Sequence, residues 1–245
     1  MKNYYYDFHI HSCLSPCGDN DMTPNNIAGM AKINGLDIVA LTDHNSTRNC
    51  PAFFEAARRY SIIPVAGMEL TTAEDIHVVC LFEELEAALE FGEAVNSRRV
   101  LIPNRVEIFG EQLVLDGEDE LIEQEKFLLP NATDISFETA PQEVEKYSGI
   151  CFPAHIDRSA NSVIETLGVF PDTPHFDFTE YRDSSKIDGL KERFPILENK
   201  PWFVSSDAHY LENIYEQQDY FTLGSQDEAA VRRELFSCLR RGIKP

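Results

Sequence analysis

The sequence predicts an α/β fold built around a mostly parallel sheet or a barrel. Short apolar runs alternate with segments of helical periodicity along most of the chain, and this alternation is typical of repeated strand–helix units. A length of 245 residues with 43% hydrophobic content suits one large α/β domain with a full core. The N-terminal stretch lacks the apolar segment of a secretory signal, and no apolar run approaches the roughly 20 residues that span a bilayer. We therefore expect a cytoplasmic protein that makes no membrane contact.

Four strands and three helices are predicted for the first part of the chain. Thr23 is expected to cap the first helix before Pro24, and Gly35 to end it. Pro51 marks the start of the second helix. The predicted strands are 4–10, 36–42, 62–70 and 75–82, and the predicted helices are 22–35, 50–60 and 83–95.

The middle of the chain departs from this alternation. Residues 105–129 read as a strand, a turn at Asp116–Gly117 and a second strand. We interpret about 98–135 as a small antiparallel β-hairpin-like insertion within a single domain that spans 1–245. The strand–helix pattern then resumes with strands 149–155, 176–181 and 202–209 and helices 140–148, 159–167, 184–193 and 225–242, with Ser225 and Glu228 as a capping box for the last helix.

The charge balance is strongly acidic. Twenty-one basic and 42 acidic residues give a net charge of −21, and such a field repels polyanions. We therefore expect no long nucleic acid as a partner, since that needs a basic surface. A small phosphorylated substrate held by metal ions remains compatible with this charge, because bound cations can dominate the local field. The six cysteines form no CxxC pair, and we expect most of them to be buried free thiols.

Histidines and carboxylates gather at the predicted strand boundaries. In barrels built from strand–helix units, the chemistry lies at the carboxyl ends of the strands. Six of the seven histidines lie at strand ends or starts, and acidic residues accompany them. These candidate ligands are His9, His11, His44, Glu69, His77, His155, Asp207 and His209. Eight ligands are too many for one tetrahedral ion, and the set predicts two to three divalent ions (Zn, Fe or Mn) that share a bridging carboxylate.

The ordered motifs resemble those of the polymerase and histidinol phosphatase (PHP) family. The motifs are "HIH", "TDH", "GMEL", "PAH" and "DAH", and they span Tyr6 to about His209. The resemblance implies a distorted (β/α)7 TIM-like barrel with a trinuclear metal site and phosphoester hydrolysis. It also implies three ligand sets: His9, His11, Glu69 and Asp207 for the first ion; Glu69, His77 and His155 for the second; His44 and His209 for the third.

The loop after "HIH" departs from the family pattern. Family phosphatases place a further ligand of the third metal there, often histidine or aspartate, and the matching position here is Cys17. A thiolate would favour zinc or iron over manganese or magnesium. Cys13, Asp19 or water are the alternatives to Cys17.

Two further residues are candidates for catalysis beside Glu69. Asp43 should point away from His44 on an extended strand, so it either orients a ligand histidine or serves as the general acid. Arg158 follows the "PAH" motif and is a candidate phosphate clamp, with a surface helix-start arginine as the alternative. Arg182 is a weaker candidate of the same kind, and His175 reads as a loop histidine.

The sequence thus predicts a metal-dependent phosphoesterase. We expect a metal-activated hydroxide near Glu69 to attack the phosphorus of a small phosphorylated substrate. One alternative is a nuclease or nucleotide bisphosphate phosphatase that acts on short nucleic acids. Another is a non-catalytic, metal-stabilised interaction protein. The sequence leaves the substrate and the oligomeric state open.

Overall fold

The computed structural model describes residues 1–244 as a mixed α/β fold. Within this range the strands are β1 (Lys2–Ile10), β2 (Ile38–Leu41), β3 (Ile63–Thr71), β4 (His77–Phe82), β5 (Leu113–Leu115), β6 (Leu121–Gln124), β7 (Ile150–Pro153), β8 (Thr179–Tyr181), β9 (Trp202–Val204) and β10 (Tyr220–Leu223). The helices are α1 (Pro24–Ile33), α2 (Cys50–Arg59), α3 (Leu85–Asn96), α4 (Val106–Phe109), α5 (Ala140–Glu145), α6 (Val163–Leu167), α7 (Ile187–Arg193) and α8 (Glu228–Leu239). The predicted α/β class is confirmed.

The central sheet has six strands and curls into a half-barrel. Its order is β10-β1-β2-β3-β4-β7, and β8 and β9 form a separate parallel pair. Only β1, β2 and β3 pair in parallel, whereas β10, β4 and β7 each join their neighbours antiparallel. The prediction of a mostly parallel sheet is therefore wrong. The five-residue connection 72–76 is too short for a parallel crossover, so β4 must return antiparallel to β3.

Two backbone hydrogen bonds join the β8–β9 pair to the ends of the larger sheet. The amide of His11 donates to the carbonyl of Ala208 at 3.0 Å, and the amide of Ile156 donates to the carbonyl of Glu180 at 2.9 Å. The carboxyl ends of β1, β7, β8 and β9 therefore meet at one rim, where the candidate ligands lie.

Separate apolar clusters cover the two faces of the sheet. On the convex face, helices α1, α2 and α3 pack against residues such as Val39, Met68 and Cys80. On the concave face, Phe8 and Phe203 lie in an aromatic cluster closed by α8, with ring centroids 5.3 Å apart. This buried floor fixes the strands beneath the rim.

An irregularity in β1 turns its two histidines toward the concave face. Tyr6 and Phe8 belong to the concave cluster, so regular alternation would point His9 away from it. The pairing of β1 with β2 shifts register between Asp7 and Ile10. Such a bulge re-aims the side chains that follow it, and His9 and His11 consequently share a face with Glu69 of β3.

Helix ends agree with the sequence prediction in one case and differ in another. Thr23 caps α1 by accepting from the amide of Asn26, as predicted. The predicted capping box at the start of α8 is wrong, because the carboxylate of Asp227 accepts from the amide of Ala230. The amide of Ser225 instead donates to Glu234 at 2.8 Å.

The segment 98–135 contains the short helix α4 and the antiparallel β5–β6 ribbon. Residues 106–109 form α4, although the sequence pattern predicted a strand there. Several large apolar side chains of this segment are exposed, including Leu101, Ile108 and Ile122. Within residues 1–244 no helix combines the length and the apolar character needed to cross a bilayer.

Candidate metal centre

Glu69 lies at the centre of the predicted ligands, and its two oxygens face different histidines. Oε1 lies 2.8 Å from Nδ1 of His77 and 2.9 Å from Nε2 of His155. Oε2 lies 3.0 Å from Nδ1 of His44 and 3.3 Å from Nε2 of His11. A carboxylate with a separate set of nitrogens at each oxygen has the arrangement of a ligand that bridges two cations.

Asp207 faces the two histidines of β1 from the opposite side. Its Oδ1 lies 3.3 Å from Nε2 of His11 and 3.6 Å from Nε2 of His9. The two imidazole Nε2 atoms are 3.2 Å apart, so both converge on one point. Asp207 and His155 have positive φ angles of 49° and 27°, and such backbone strain in non-glycine residues is concentrated at functional sites.

Three sets of ligand atoms each lie within 4.8 Å of one another. They are His9, His11, Glu69 and Asp207; His44, Glu69 and His77; and His11, His44 and His209. The first set matches the one that the family resemblance implies for the first ion. In the second, His44 stands where the resemblance implies His155, although His155 itself contacts Glu69. All eight predicted ligands thus come together, while His175 lies exposed beside Asp177.

The donors fit a cluster of divalent cations. Oε2 of Glu69 and Oδ1 of Asp207 are buried, and neither has a hydrogen-bond partner among residues 1–244. The other oxygen of each carboxylate is paired, with His77 and His155 for Glu69 and with Arg158 for Asp207. A buried carboxylate oxygen that accepts no hydrogen bond is unfavourable, and a cation between these two oxygens would offset that cost. Imidazole and carboxylate ligands suit zinc, iron or manganese.

The protonation equilibria of the histidines divide them into two groups. Burial lowers the pKa of His77 to about 4 despite the nearby Glu69 carboxylate, and burial with the charge of His11 lowers that of His209 to about 3. Burial also lowers the pKa of His11, but the neighbouring carboxylates of Asp207 and Glu69 outweigh it and raise the pKa to about 9. The neutral imidazoles are ready ligands, whereas His11 must release a proton when a cation binds.

The two carboxylates stay ionised in spite of their burial. Desolvation raises the pKa of Glu69, but the surrounding histidines, His9 among them, outweigh it and hold the pKa well below its usual range. Desolvation likewise raises the pKa of Asp207, and the neighbouring His9 and His11 lower it below its usual range. The centre therefore presents two negative charges to a cation at neutral pH.

The carboxylate of Asp43 lies outside this ring of ligands. It accepts hydrogen bonds from the hydroxyl of Ser12 at 2.6 Å and the hydroxyl of Ser15 at 2.8 Å. Ser15 Oγ in turn lies 2.9 Å from Nδ1 of His11 and accepts from the amide of His44 at 3.1 Å. The Asp43 carboxylate is thus linked to His11 and His44 through Ser15.

Glu180 escaped the sequence analysis, although it is fully buried beside the centre. Its Oε2 lies 2.8 Å from Nδ1 of His9 and accepts from the amide of His155 at 3.0 Å. The only signal in the sequence was its position at the end of the predicted strand 176–181, without a neighbouring histidine. Asp7 was missed as well, and its Oδ1 accepts from the amides of His9 and Ser206.

Cys17 lies in an exposed loop position next to His44. Burial lowers the pKa of His44, but the charges of Cys17 and Glu69 raise it to about 9 overall. The alternative ligand Asp19 uses Oδ1 to accept from the amide of Asp21 within its own loop. Cys17 lies beside the imidazole of His44, whereas the backbone amide of Asp19 donates to the carbonyl of His209 at 2.8 Å.

Basic side chains line one wall of the opening above Asp207. Nη1 of Arg158 lies 2.6 Å from Oδ2 of Asp207, and Nε of Arg182 donates to the carbonyl of Ser206 at 3.1 Å. Both border a cleft of about 430 Å³ together with Lys186. Their side chains are 38%, 37% and 52% exposed, Arg158 and Arg182 lie beside Asp207, and Lys186 lies 3.8 Å from Asp157, which lines the same cleft with Asp183. We call Arg158, Arg182 and Lys186 the basic wall.

The fold and this constellation define a class of metal-dependent hydrolases. Residues 7–129 match the PHP domain, so the chain belongs to the PHP family and the predicted resemblance is confirmed. The chain is 27% identical over 129 residues to a 5'-3' exoribonuclease of Haemophilus influenzae, which covers 49% of this chain and 46% of that protein. It spans about half the length of the curated relatives it matches.

Two solved structures share the fold at low sequence identity. Endonuclease Q, described as lesion-specific in the Pyrococcus furiosus enzyme, superposes with a TM-score of 0.63 at 16% identity, over 98% of this chain and 56% of that one. A putative metal-dependent phosphoesterase of Bifidobacterium adolescentis superposes with a TM-score of 0.59 at 16% identity, over 95% and 96% of the two chains.

The prediction that the partner is only a small phosphorylated substrate, with no long nucleic acid, is wrong. Endonuclease Q, whose fold this chain shares, has been solved with a 27-mer duplex that carries an abasic lesion at the active site. The net charge of −21 is a sum over the whole chain and does not describe the field at one opening. The basic wall stands at that opening.

Proposed function

We propose that this protein is a metal-dependent phosphodiesterase that cleaves nucleic-acid strands. The observation that carries the proposal is the pair of buried carboxylates, Glu69 and Asp207, enclosed by histidines and opening toward Arg158. A phosphodiester carries one negative charge at its phosphate, and strand cleavage must neutralise further charge as it develops. Cations held by Glu69 and Asp207, together with the guanidinium of Arg158, could neutralise this charge.

The eight clustered residues would hold two or three ions. We propose His9, His11, Glu69 and Asp207 for the first ion and Glu69, His77 and His155 for the second. His44 and His209, with Cys17, would hold a third. When bound, divalent ions there supply positive charge that activates water for attack on phosphorus and offsets the charge of the phosphate oxygens.

The protein side chains have separate tasks in this proposal. Arg158 would contact a phosphate oxygen, because its guanidinium is partly exposed and held in place by Asp207. Glu180 would fix the ring of His9, so that Nε2 points at the centre. Asp43 would position His11 through Ser15 rather than act as a general acid.

The basic wall supports a polymer as the substrate. Arg182 and Lys186 line the same cleft as Arg158, and Nε of Arg182 lies 3.8 Å from Oδ2 of Asp207. A monoester needs few cations beyond the centre, whereas a strand carries further phosphates that these residues could pair with. We further propose that 1–245 is a single PHP domain with an insertion at about 98–135, and that seven strands form its distorted barrel.

The test is hydrolysis of defined phosphoesters by protein loaded with Mn²⁺, Zn²⁺ or Fe²⁺. The substrates are end-labelled single-stranded DNA and RNA, a duplex with an abasic site, and p-nitrophenyl phosphate as a monoester. We expect strand cleavage that falls by about a hundredfold or more in Glu69→Gln, while the surface variant Glu143→Gln keeps wild-type rates. Hydrolysis of the monoester alone would contradict the assignment to nucleic acid, and full metal content without any hydrolysis would contradict an enzymatic function.

A further inference from the structure

A second cavity lies on the other side of the metal centre, where α3 and the chain after His44 meet the segment 98–135. Its volume is about 450 Å³, within the range of small-ligand pockets. Asn45, Arg48, Arg99 and Phe127 are among its lining residues. None of the eight clustered ligands lines it, so it is distinct from the centre itself.

Arg99 is the unusual residue of this cavity. Its side chain is only 2% exposed, and Nη2 and Nε both donate to Oδ1 of Asn96. Nη1 is buried and has no hydrogen-bond partner among residues 1–244, and Glu125 comes no closer than 3.7 Å to the guanidinium. A buried guanidinium with a free donor is unfavourable unless a ligand accepts from it.

The other lining residues argue against an anion as that ligand. Three cationic side chains are balanced by the carboxylates of Glu93, Glu123 and Glu125 in the same wall, and Arg48 is already paired with the last two. Four large apolar side chains complete the lining: Leu89, Leu101, Phe127 and Leu129. A neutral, flat group with hydrogen-bond acceptors and donors on its edge matches such a surface. A phosphate does not match it, because the carboxylates would repel its charge.

The cavity is tied directly to the metal centre through Asn45. This residue follows His44, and its φ of 47° places it in the left-handed region. The side-chain Nδ2 of Asn45 donates to the carbonyls of Leu129 and Asn131, and its Oδ1 accepts from the backbone amide of Thr71. A group bound in the cavity is therefore held by the same loop that carries a candidate metal ligand.

We propose that this cavity binds one nucleobase of the substrate strand, with Arg99 donating to acceptor atoms on the edge of the base. Arginine commonly donates two hydrogen bonds to two neighbouring acceptors on a base edge, as on guanine. Aromatic rings and guanidinium planes also stack on the bases of single strands. The inference rests on the proposed action on nucleic acid and adds the group that positions the strand. Arg99 is then a binding residue for the base and has no part in the hydrolysis.

The experiment measures binding of metal-loaded protein to a single-stranded oligonucleotide with uncleavable phosphorothioate linkages. A series of oligonucleotides, each lacking the base at one position, locates the position that the cavity reads. We expect one position at which loss of the base weakens binding about tenfold, and Arg99→Met should weaken binding to the intact strand by a similar factor. The two losses should not add, because each removes the same contact.

Control variants separate this effect from a general disturbance. Arg105→Met removes an exposed arginine of the same segment that does not line the cavity, and it should bind like wild type. Leu101→Glu places a charge at the half-exposed edge of the cavity without altering the core, and it tests the proposal if Arg99→Met proves unstable. Losses that add fully, or equal binding of all strands that lack one base, would overturn the inference.

A second readout keeps the inference apart from the proposed function. Isothermal titration with free guanosine, adenosine, cytidine and uridine does not depend on hydrolysis. Binding of a nucleoside that is lost in Arg99→Met supports the cavity even if no strand is cleaved. Strand cleavage without any nucleoside binding or base dependence would retain the phosphodiesterase and reject the base pocket.

Discussion

Oε2 of Glu180 lies 2.8 Å from Nδ1 of His9, and both side chains are completely buried. The contact leaves Nε2 of His9 facing Glu69 at 3.2 Å and Asp207 at 3.6 Å. A carboxylate that accepts from one ring nitrogen fixes the tautomer in which the other nitrogen can bind a metal. Glu180 therefore organises the centre without contributing a ligand atom to any of the three sets.

Replacing Glu180 by glutamine should weaken metal binding while the fold persists. The amide keeps the shape but removes the charge that holds His9, and losses of this kind are typically about 10–100-fold in affinity. Competition with a chelator of known affinity measures the change, with Glu143→Gln as the exposed control. Metal affinity within about twofold of wild type would show that Glu180 only supports the packing.

Removal of the metal should lower the thermal stability of the protein. One oxygen each of Glu69 and Asp207 is buried without a hydrogen-bond partner among residues 1–244, so the apo protein retains a desolvation cost that a bound cation would offset. At a metal concentration a hundredfold above Kd, binding stabilises the native state by about 2.7 kcal/mol, which corresponds to roughly 5–10 °C in Tm for a chain of this size. Differential scanning calorimetry with and without a chelator measures the shift.

The Glu69→Gln variant is the control for this shift. It removes the charge that pairs with the buried histidines around Glu69, so we expect the apo variant to melt at a temperature below that of apo wild type. Its stabilisation by added metal should be clearly smaller. Identical melting of the holo and apo wild-type proteins would contradict a metal site at these residues.

The sequence identified the candidate ligands because strand ends in this fold class mark the site. The spacing of His9 and His11 and the motifs around His44, Glu69, His155 and Asp207 are local signals. Regular alternation along β1 would place His9 on the same face as Asp7, opposite the concave face that Tyr6 and Phe8 line. The bulge that turns His9 toward the concave face cannot be read from the sequence pattern.

Strand direction and distant partners could not be predicted in the same way. The apolar runs of β3 and β4 look alike in either direction, and only the five-residue connection between them decides the pairing. Glu180 acts on His9 from 171 residues away in the chain, and no local spacing reports such a contact. Arg99 lies in a segment that packs near α3, and no local sequence pattern predicts that the two meet.

The basic wall should determine how strongly a nucleic-acid strand binds. Each cation that pairs with a phosphate releases condensed counterions, so the double variant Arg182→Ala/Lys186→Ala should reduce the slope of log K against log salt by about one to two units. Fluorescence anisotropy over a series of salt concentrations measures the slope. Arg182 also donates to the carbonyl of Ser206, so metal content must be compared in parallel.

Lys191→Ala provides the matched control for the double variant. Lys191 lies in α7, the helix that begins directly after Lys186, but it does not line the cleft. It should leave the slope unchanged. Equal slopes for wild type and the double variant would exclude Arg182 and Lys186 from the path of the strand.

Cys17 should be protected from alkylation when metal is bound. It is the exposed cysteine among the six and lies beside His44. Burial raises the pKa of the Cys13 thiol to about 12, with a contribution from the charge of Asp43, and burial raises the pKa of the Cys50 thiol to about 12. Iodoacetamide reacts with the thiolate, and a metal-bound thiolate is shielded. Holo protein should therefore resist labelling at Cys17, and chelation should expose it, as peptide mapping by mass spectrometry can follow.

Cys17→Ser should lose one ion per chain while the ions proposed at Glu69 and Asp207 remain, and Cys17→Asp should recover that ion with a shift toward manganese, because a hard oxygen replaces a soft sulfur. If Cys17 is alkylated at the same rate with and without metal, and Cys17→Ser keeps its full metal content, the third ion is held by Asp19 or water instead.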